Sequence, residues 1–161
     1  MNHSLEILRL TADSPYVATI AEWQYEQWGY LHPGETLAVW RGSLEAHCGS
    51  RGVPSVFVAL CDTRPVGTAS LVEDDMGERL QLTPWLASVF VVPEWRGQGI
   101  ASRLVKRVER EARDVGFAHC HLFTPDQQGL YRRLGWQDHE VLTYRGEDVT
   151  IMTRLLIGSS A

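Results

Sequence analysis

The stretch "VFVVPEWRGQGIASRLVKRVEREA" (Val89–Ala112) decides how the rest of this chain folds. It opens on apolar, β-branched and aromatic residues, the composition of a buried strand. They close the run "WLASVFVV" that starts at Trp85, and Pro93 ends it. From about Gln98 to Val115, Ile100, Ala101, Leu104, Val105, Val108, Ala112 and Val115 recur at helical spacing. That spacing predicts a long amphipathic helix, stopped by Gly116. Between strand and helix lie Arg96, Gly97, Gln98 and Gly99. Such a junction suits an anion. Unpaired N–H groups and the helix dipole attract negative charge, glycine lets the backbone come close, and arginine adds a forked donor. A strand-to-helix turn that merely needs flexible glycines is the plainer alternative. No Gly-Lys-Ser/Thr follows, so this is not a P-loop, and the glycine spacing is not that of a dinucleotide-binding fingerprint.

Working outward, "SLEILRL" (Ser4–Leu10) alternates as a strand. Asp13 or Ser14 with Pro15 starts a helix whose face carries Val17, Ile20, Ala21 and Trp28, and Gly29 ends it. A second helix runs from about Thr36 to His47. Val53–Asp62 and Pro65–Asp75 read as strands joined by the turn "DTRP", hence a hairpin. After the long helix come a strand (Ala118–Thr124), a short helix ("PDQQGLYRRLG", capped by Thr124) and a closing hairpin through the Gly146 region. The order is β-α-α-β-β-β-α-β-α-β-β. The strands flanking the long helix should be parallel neighbours, because a helical crossover joins them. The remaining sheet should be largely antiparallel.

The chain has 161 residues, a length that suits one domain (1–161) with a real core. Hydrophobic residues make up 44%, and the net charge is −5, so bulk charge gives nucleic-acid binding no help. No apolar run reaches about 18 residues, and no membrane span is expected. The start "MNHSLEILRL" lacks the pattern of a signal peptide. Cys48, Cys61 and Cys120 show no CxxC spacing and read as buried thiols of a cytoplasmic protein. His119 and His121 share a strand face without further ligands at matching positions, so no metal site is expected.

With these elements in place, "VVPEWRGQGIASRLV" resembles the cofactor motif Arg/Gln-x-x-Gly-x-Gly/Ala of the GNAT superfamily of acyl-CoA N-acyltransferases, with Arg96, Gly99 and Ala101 at its fixed places. "LFTPDQQGLYRRLGW" resembles the family's second motif, which ends in Leu-Tyr-x-x-Leu-Gly-aromatic. The resemblance implies an α/β (α+β) fold: a mixed, mostly antiparallel sheet of about 6–7 strands flanked by about four helices, splayed at the cofactor site. It implies acetyl-CoA as cosubstrate. The pyrophosphate would lie on Arg96, Gly97, Gln98, Gly99, Ile100, Ala101 and Ser102, and the pantetheine arm would pair like an extra strand along Val89, Phe90 and Val91. Asp126 or Gln127 would touch the cofactor arm, the alternative for Asp126 being that it only favours the helix N-terminus. This chain has "TPDQ" where the family often carries an asparagine, a form that resembles a subgroup including acetylases of protein N-termini.

The implied activity is transfer of acetyl to a primary amine by direct attack in a ternary complex. Tyr131 stands where the family places its thiolate-facing tyrosine, the acid for the departing sulfur; packing on the sheet is its structural alternative. For the base, "LVEDD" offers Glu73, Asp74 and Asp75 at a strand end; strand alternation lets one face reach the site, and Glu73 is the first choice beside a water chain. Glu22, Trp23, Glu26 and Trp85 are the expected acceptor-side residues, an aromatic and acidic set suited to a cationic amine. A small cationic acceptor predicts a closed acidic pocket, and a peptide predicts an open groove between the first helices and the closing hairpin. A non-catalytic acyl-CoA sensor is the alternative from another class. Partners are acetyl-CoA and an amine, with no nucleic acid and no membrane; a homodimer is compatible with the resemblance.

Overall fold

Burial on both faces is the constraint that the central strands meet. In the computed structural model, which describes residues 4–156, β2 (Ser55–Cys61) is buried at every position. Alternation splits it between two clusters: Phe57, Ala59 and Cys61 in one, Val56, Val58 and Leu60 in the other. Such a strand needs helices on both sides of its sheet. The other elements are β1 (Leu5–Arg9), α1 (Val17–Trp28), α2 (Leu37–His47), β3 (Arg64–Val72), β4 (Trp85–Val91), α3 (Ile100–Asp114), β5 (His119–Thr124), α4 (Gln128–Arg133), β6 (Gln137–Tyr144) and β7 (Glu147–Leu155). Seven strands form one sheet in the order β1-β2-β3-β4-β5-β7-β6. Among the described residues, β4 and β5 pair parallel and the other neighbours antiparallel. The expected mixed sheet, hairpins and helical crossover are all present.

Helix α3 covers one face. Its Ile100, Leu104, Val105, Val108 and Ala112 pack on Phe57, Ala69, Leu71, Leu86 and Leu122. Helices α1 and α2 cover the other face through Val17, Ile20, Ala21 and Leu44. Thr36 caps α2, its hydroxyl accepting from Val39 N–H at 3.3 Å.

Two halves of the sheet meet at a narrow seam. β4 pairs with β3 along its length, and β5 pairs with β7 over six registered residue pairs. Between β4 and β5 the ladder has the single pair Trp85↔His121, backed by His121 N–H to Pro84 O at 3.0 Å. Trp85 fills this seam. It is fully buried, donates its indole N–H to Leu82 O at 2.6 Å, and packs near the rings of His121 and Phe123 at 5.8 and 6.2 Å. Trp85 is therefore a wedge in the sheet, and the expectation that it lines the acceptor side is corrected.

β3 ends at Val72, three residues before the expected Asp75, because its last partner is Trp85 and Thr83 Oγ1 then donates to Glu73 O at 2.7 Å. Glu73, Asp74 and Asp75 lie in the loop beyond, so strand alternation does not choose among them. The long helix starts at Ile100 rather than Gln98, because Gly99 takes the left-handed conformation (φ 82°) as its cap.

Where α3 faces β1 and β2, Glu111 is buried and takes the guanidinium groups of Arg9 at 2.8 Å and Arg107 at 3.1 Å, with Gly52 N–H at 2.6 Å. Burial alone would raise its carboxyl, but these donors outweigh it and hold Glu111 down at about 2, below the ordinary 4.5. The ionised carboxylate thus stabilises the fold above about pH 4.5, and the contribution is lost as pH falls toward 2. Glu111→Gln should cost about 3 kcal/mol at pH 7 and flatten the acid limb of stability below that range. Urea unfolding at neutral and acid pH reads both effects.

Candidate active site

Beyond Trp85↔His121 the two half-sheets diverge, and a cleft of about 960 Å³ opens between them. A bulge widens it. Register slips by one residue where Thr68 faces Phe90 and Ser70 faces Ala87, and Ser88 takes φ 55°, a left-handed conformation rare for a residue with a side chain. The bulge turns the backbone of Ser88–Phe90 out of the regular ladder and toward the cleft that these residues line. Phe90 ties this segment to α1, its ring lying 5.4 Å from Trp23 and 6.5 Å from Trp28.

At the cleft's end is the glycine loop. Gly97 and Gly99 sit at φ 81° and 82°, where a side chain is strained, and a Cβ added at either would meet no atom within 4 Å. The space before this backbone is therefore open. The helical ladder begins with Arg103 N–H to Gly99 O at 3.1 Å, which leaves Ile100, Ala101 and Ser102 N–H as donors without an intrahelical acceptor. A positive helix end facing an open cleft fits a phosphate. Arg96 lines the cleft but is otherwise engaged: its Nε donates to Val91 O at 2.8 Å and its guanidinium lies 5.5 Å from the Phe90 ring centre. Its side chain braces the strand-to-loop turn. Gln98 and Ser102 do not line the cleft, so the cradle is made by Arg96, Gly97, Gly99, Ile100 and Ala101.

Across the cleft, α4 presents Tyr131. Thr124 Oγ1 accepts from Asp126 and Gln127 N–H at 3.4 and 3.0 Å, turning the chain out of β5 into α4. Tyr131 is only 6% exposed, and its ring meets Trp136 edge-on at 6.1 Å. Trp136 is held in turn by Glu109, which accepts from its indole at 3.0 Å. Burial, with the Asp126 carboxylate, pushes the Tyr131 phenol well above its ordinary 10.0, so it keeps its proton. Asp126, Gln127, Leu130 and Arg133 line the same wall.

The remaining lining comes from the α1–α2 segment, the β3–β4 loop and the β6–β7 hairpin: Trp28, Tyr30, Trp40, Asp74, Asp75 and Glu147 among them. Burial, then repulsion from Asp74, pushes the Asp75 carboxyl up to about 7. A carboxyl poised there exchanges protons near neutral pH. Glu73 is exposed and does not line the cleft.

The structure thus brings together Val89, Phe90, Val91, Arg96, Gly97, Gly99, Ile100, Ala101, Asp126, Gln127 and Tyr131. It leaves out Glu22, Trp23 and Glu26. Helical periodicity turns Gln24, Gln27 and Trp28 to the cleft and Glu22 and Glu26 to solvent, while Trp23 packs on Phe90. Tyr30 and Trp28, named with the aromatic residues of the first helix and its loop, do line the cleft, whereas Ser88, Trp40, Arg133 and Glu147 escaped the sequence reading. Their proximity depends on how loops far apart in the chain converge. The histidine pair is also split: His119 is exposed, and His121 is buried with its ring nitrogen 3.0 Å from Thr153 Oγ1.

A family model described as "Acetyltransferase (GNAT) family" matches residues 17–136. The chain is 40% identical over 58 residues to a thialysine N-epsilon-acetyltransferase of Bos taurus, a match that covers 34% of each protein. The matched stretch is thus about a third of that relative's length. Among solved structures, an aminoglycoside 6'-N-acetyltransferase complexed with coenzyme A superposes with a TM-score of 0.78 at 15% identity, covering 97% of this chain and 99% of that one. A Salmonella typhimurium protein, yncA, solved with its cofactor acetyl-CoA, gives 0.65 at 21% identity, covering 100% and 98%.

Asp75 should titrate near 7 in a carbon-detected NMR titration of its side chain. Asp74→Asn removes the like charge and should lower that midpoint; an unchanged midpoint would assign the shift to burial alone.

Proposed function

Because the chain belongs to the acetyltransferase (GNAT) family, we propose that it transfers an acetyl group from acetyl-CoA to a primary amine by direct attack in a ternary complex. The observation that carries this reading is the cleft itself: a helix end with open donors at one wall and a proton-holding tyrosine at the other, joined by a bulged strand. Relatives that act on an amine or are solved with coenzyme A or acetyl-CoA support it. The loop's open space and its free N–H donors fit the pyrophosphate, and the diverging edge of Ser88–Val91 fits the pantetheine arm.

Acetyl-CoA supplies the thioester. Asp75 accepts a proton from the incoming ammonium, freeing the nitrogen lone pair for attack at the carbonyl carbon. Backbone N–H groups at the bulge stabilise charge developing on the carbonyl oxygen. Tyr131 donates its phenolic proton to the departing sulfur, and the second proton of the acylated nitrogen returns to the phenolate. Its burial serves that step, because a phenol that keeps its proton at neutral pH is available as an acid. A base assigned to Asp75 replaces Glu73 of the sequence reading. The non-catalytic sensor has no observation in its favour. The cytoplasm is the compartment proposed from the three unpaired thiols.

Initial rates of thiol release from acetyl-CoA test the proposal. Tyr131→Phe should lower kcat at least about tenfold, and Asp75→Asn about 100-fold. In the wild type, kcat/KM should fall as pH drops below about 7, where Asp75 takes its proton, and Asp75→Asn should lack that limb. Full activity in both variants would refute the assignment.

A further inference from the structure

Glu109 puts a carboxylate on the packed face of α3. It lies one turn from Val105 and one turn from Ala112, among the residues that seal α3 to the sheet, and it is 5% exposed. A carboxylate in that place costs free energy unless donors meet it. Its donors come from the other half-sheet. Trp136, just before β6, gives its indole N–H at 3.0 Å, and Arg154 of β7 brings its guanidinium to 3.5 Å. The turn after α4 is shaped for this contact. Gly135 takes φ 98°, and a Cβ there would stand 2.7 Å from Arg154 Nη1. Leu134 and Trp136 N–H both donate to Tyr131 O, at 3.0 and 2.9 Å, which folds Trp136 back against the tyrosine. Among the described residues the Tyr131 hydroxyl forms no hydrogen bond that would aim it. Its direction is set by what the ring packs on, and Trp136 meets that ring edge-on at 6.1 Å.

Resting on the acetyl-transfer reading above, we propose that Glu109 is a positioning residue for the acid step: through the Trp136 indole it fixes the direction in which Tyr131 presents its hydroxyl to the cleft. Glu109 does not line the cleft, so its loss leaves the cofactor's own contacts in place. The acid step depends on direction more than on affinity. A proton passes along a hydrogen bond of ordinary length, and a misplacement of about 1 Å can cost about 100-fold. An indole that loses its acceptor keeps a buried, unpaired N–H, a cost the ring escapes by turning, and Tyr131 turns with it. The same helix begins at the glycine loop. One rigid element thus sets the phosphate donors and, about two and a half turns on, the support of the acid.

The test uses the full chain, with thiol release from acetyl-CoA measured on butylamine. Glu109→Leu should lower kcat about tenfold and leave the KM for acetyl-CoA within about twofold. Glu109→Gln keeps an acceptor for the indole and should stay within about threefold of wild type. In a Tyr131→Phe background, Glu109→Leu should cost less than about twofold more, because the group it serves is gone. Trp136→Phe keeps a ring, removes the N–H and should behave as Glu109→Leu does. A spectrum of ring-labelled tyrosine reads the same geometry without turnover: the Tyr131 resonance should move in Glu109→Leu and hold its place in Glu109→Gln. A tenfold loss from Glu109→Leu in the Tyr131→Phe background as well, or a Tyr131 resonance that Glu109→Leu leaves unmoved, would overturn the inference and leave the transferase reading intact. If Glu109→Leu does not fold, Trp136→Phe decides by the same two readouts. Wild-type kcat in Tyr131→Phe would overturn the acid assignment itself, and the inference with it.

Discussion

One pair of residues, Trp85 and His121, holds the two half-sheets together. Were β4 and β5 paired along their lengths, no cleft would exist. They separate because each is committed elsewhere: β4 to β3, with a bulge that slips its register, and β5 to β7 through six pairs. A buried tryptophan wedged against His121 and Phe123 fixes the point at which they part. Everything assigned to function lies downstream of that divergence. The open strand edge, the glycine loop at its end and the tyrosine across from it are where they are because the sheet splits there.

Charge is distributed to match. The buried acids of α3, Glu109 and Glu111, are consumed by internal partners: Trp136 and Arg154 for one, Arg9, Arg107 and Gly52 for the other. They hold the helix to the sheet and to the tyrosine-bearing segment, since Glu109 supports Trp136 and Trp136 supports Tyr131. Among the described residues, Asp74 and Asp75 of the cleft have no such ion pair. Asp75 is partly buried beside the exposed Asp74, an arrangement that costs stability and leaves the Asp75 carboxyl ready to exchange protons near neutrality.

Much of the fold was legible in the sequence because periodicity is a local property. The strand ending at Pro93, the long helix after two glycines and the cap at Thr124 are each written in consecutive residues, and the glycine loop stands where its spacing placed it. The acceptor side was harder. Trp85 reads as a pocket aromatic and is a wedge, since a lone tryptophan does not reveal which side of a sheet it fills. Glu73 was the first choice among three acids at the end of an expected strand, yet the strand stops at Val72 and alternation stops with it. Glu22 and Glu26 mark the acidic face of α1, but the cleft meets its other face. Glu147 lies more than a hundred residues from Tyr30, its partner, and only the folded hairpin joins them.

The account rests on acetyl-CoA lying along the diverging strand with its phosphates on the glycine loop. The most direct measurement is a backbone amide NMR titration with acetyl-CoA. The account predicts that the largest shifts fall on Ser88–Val91, Gly97 and Gly99–Ala101, with β1 and the exposed face of α3 unmoved. Saturable shifts concentrated on that exposed face, with the strand and loop amides unchanged, would contradict it.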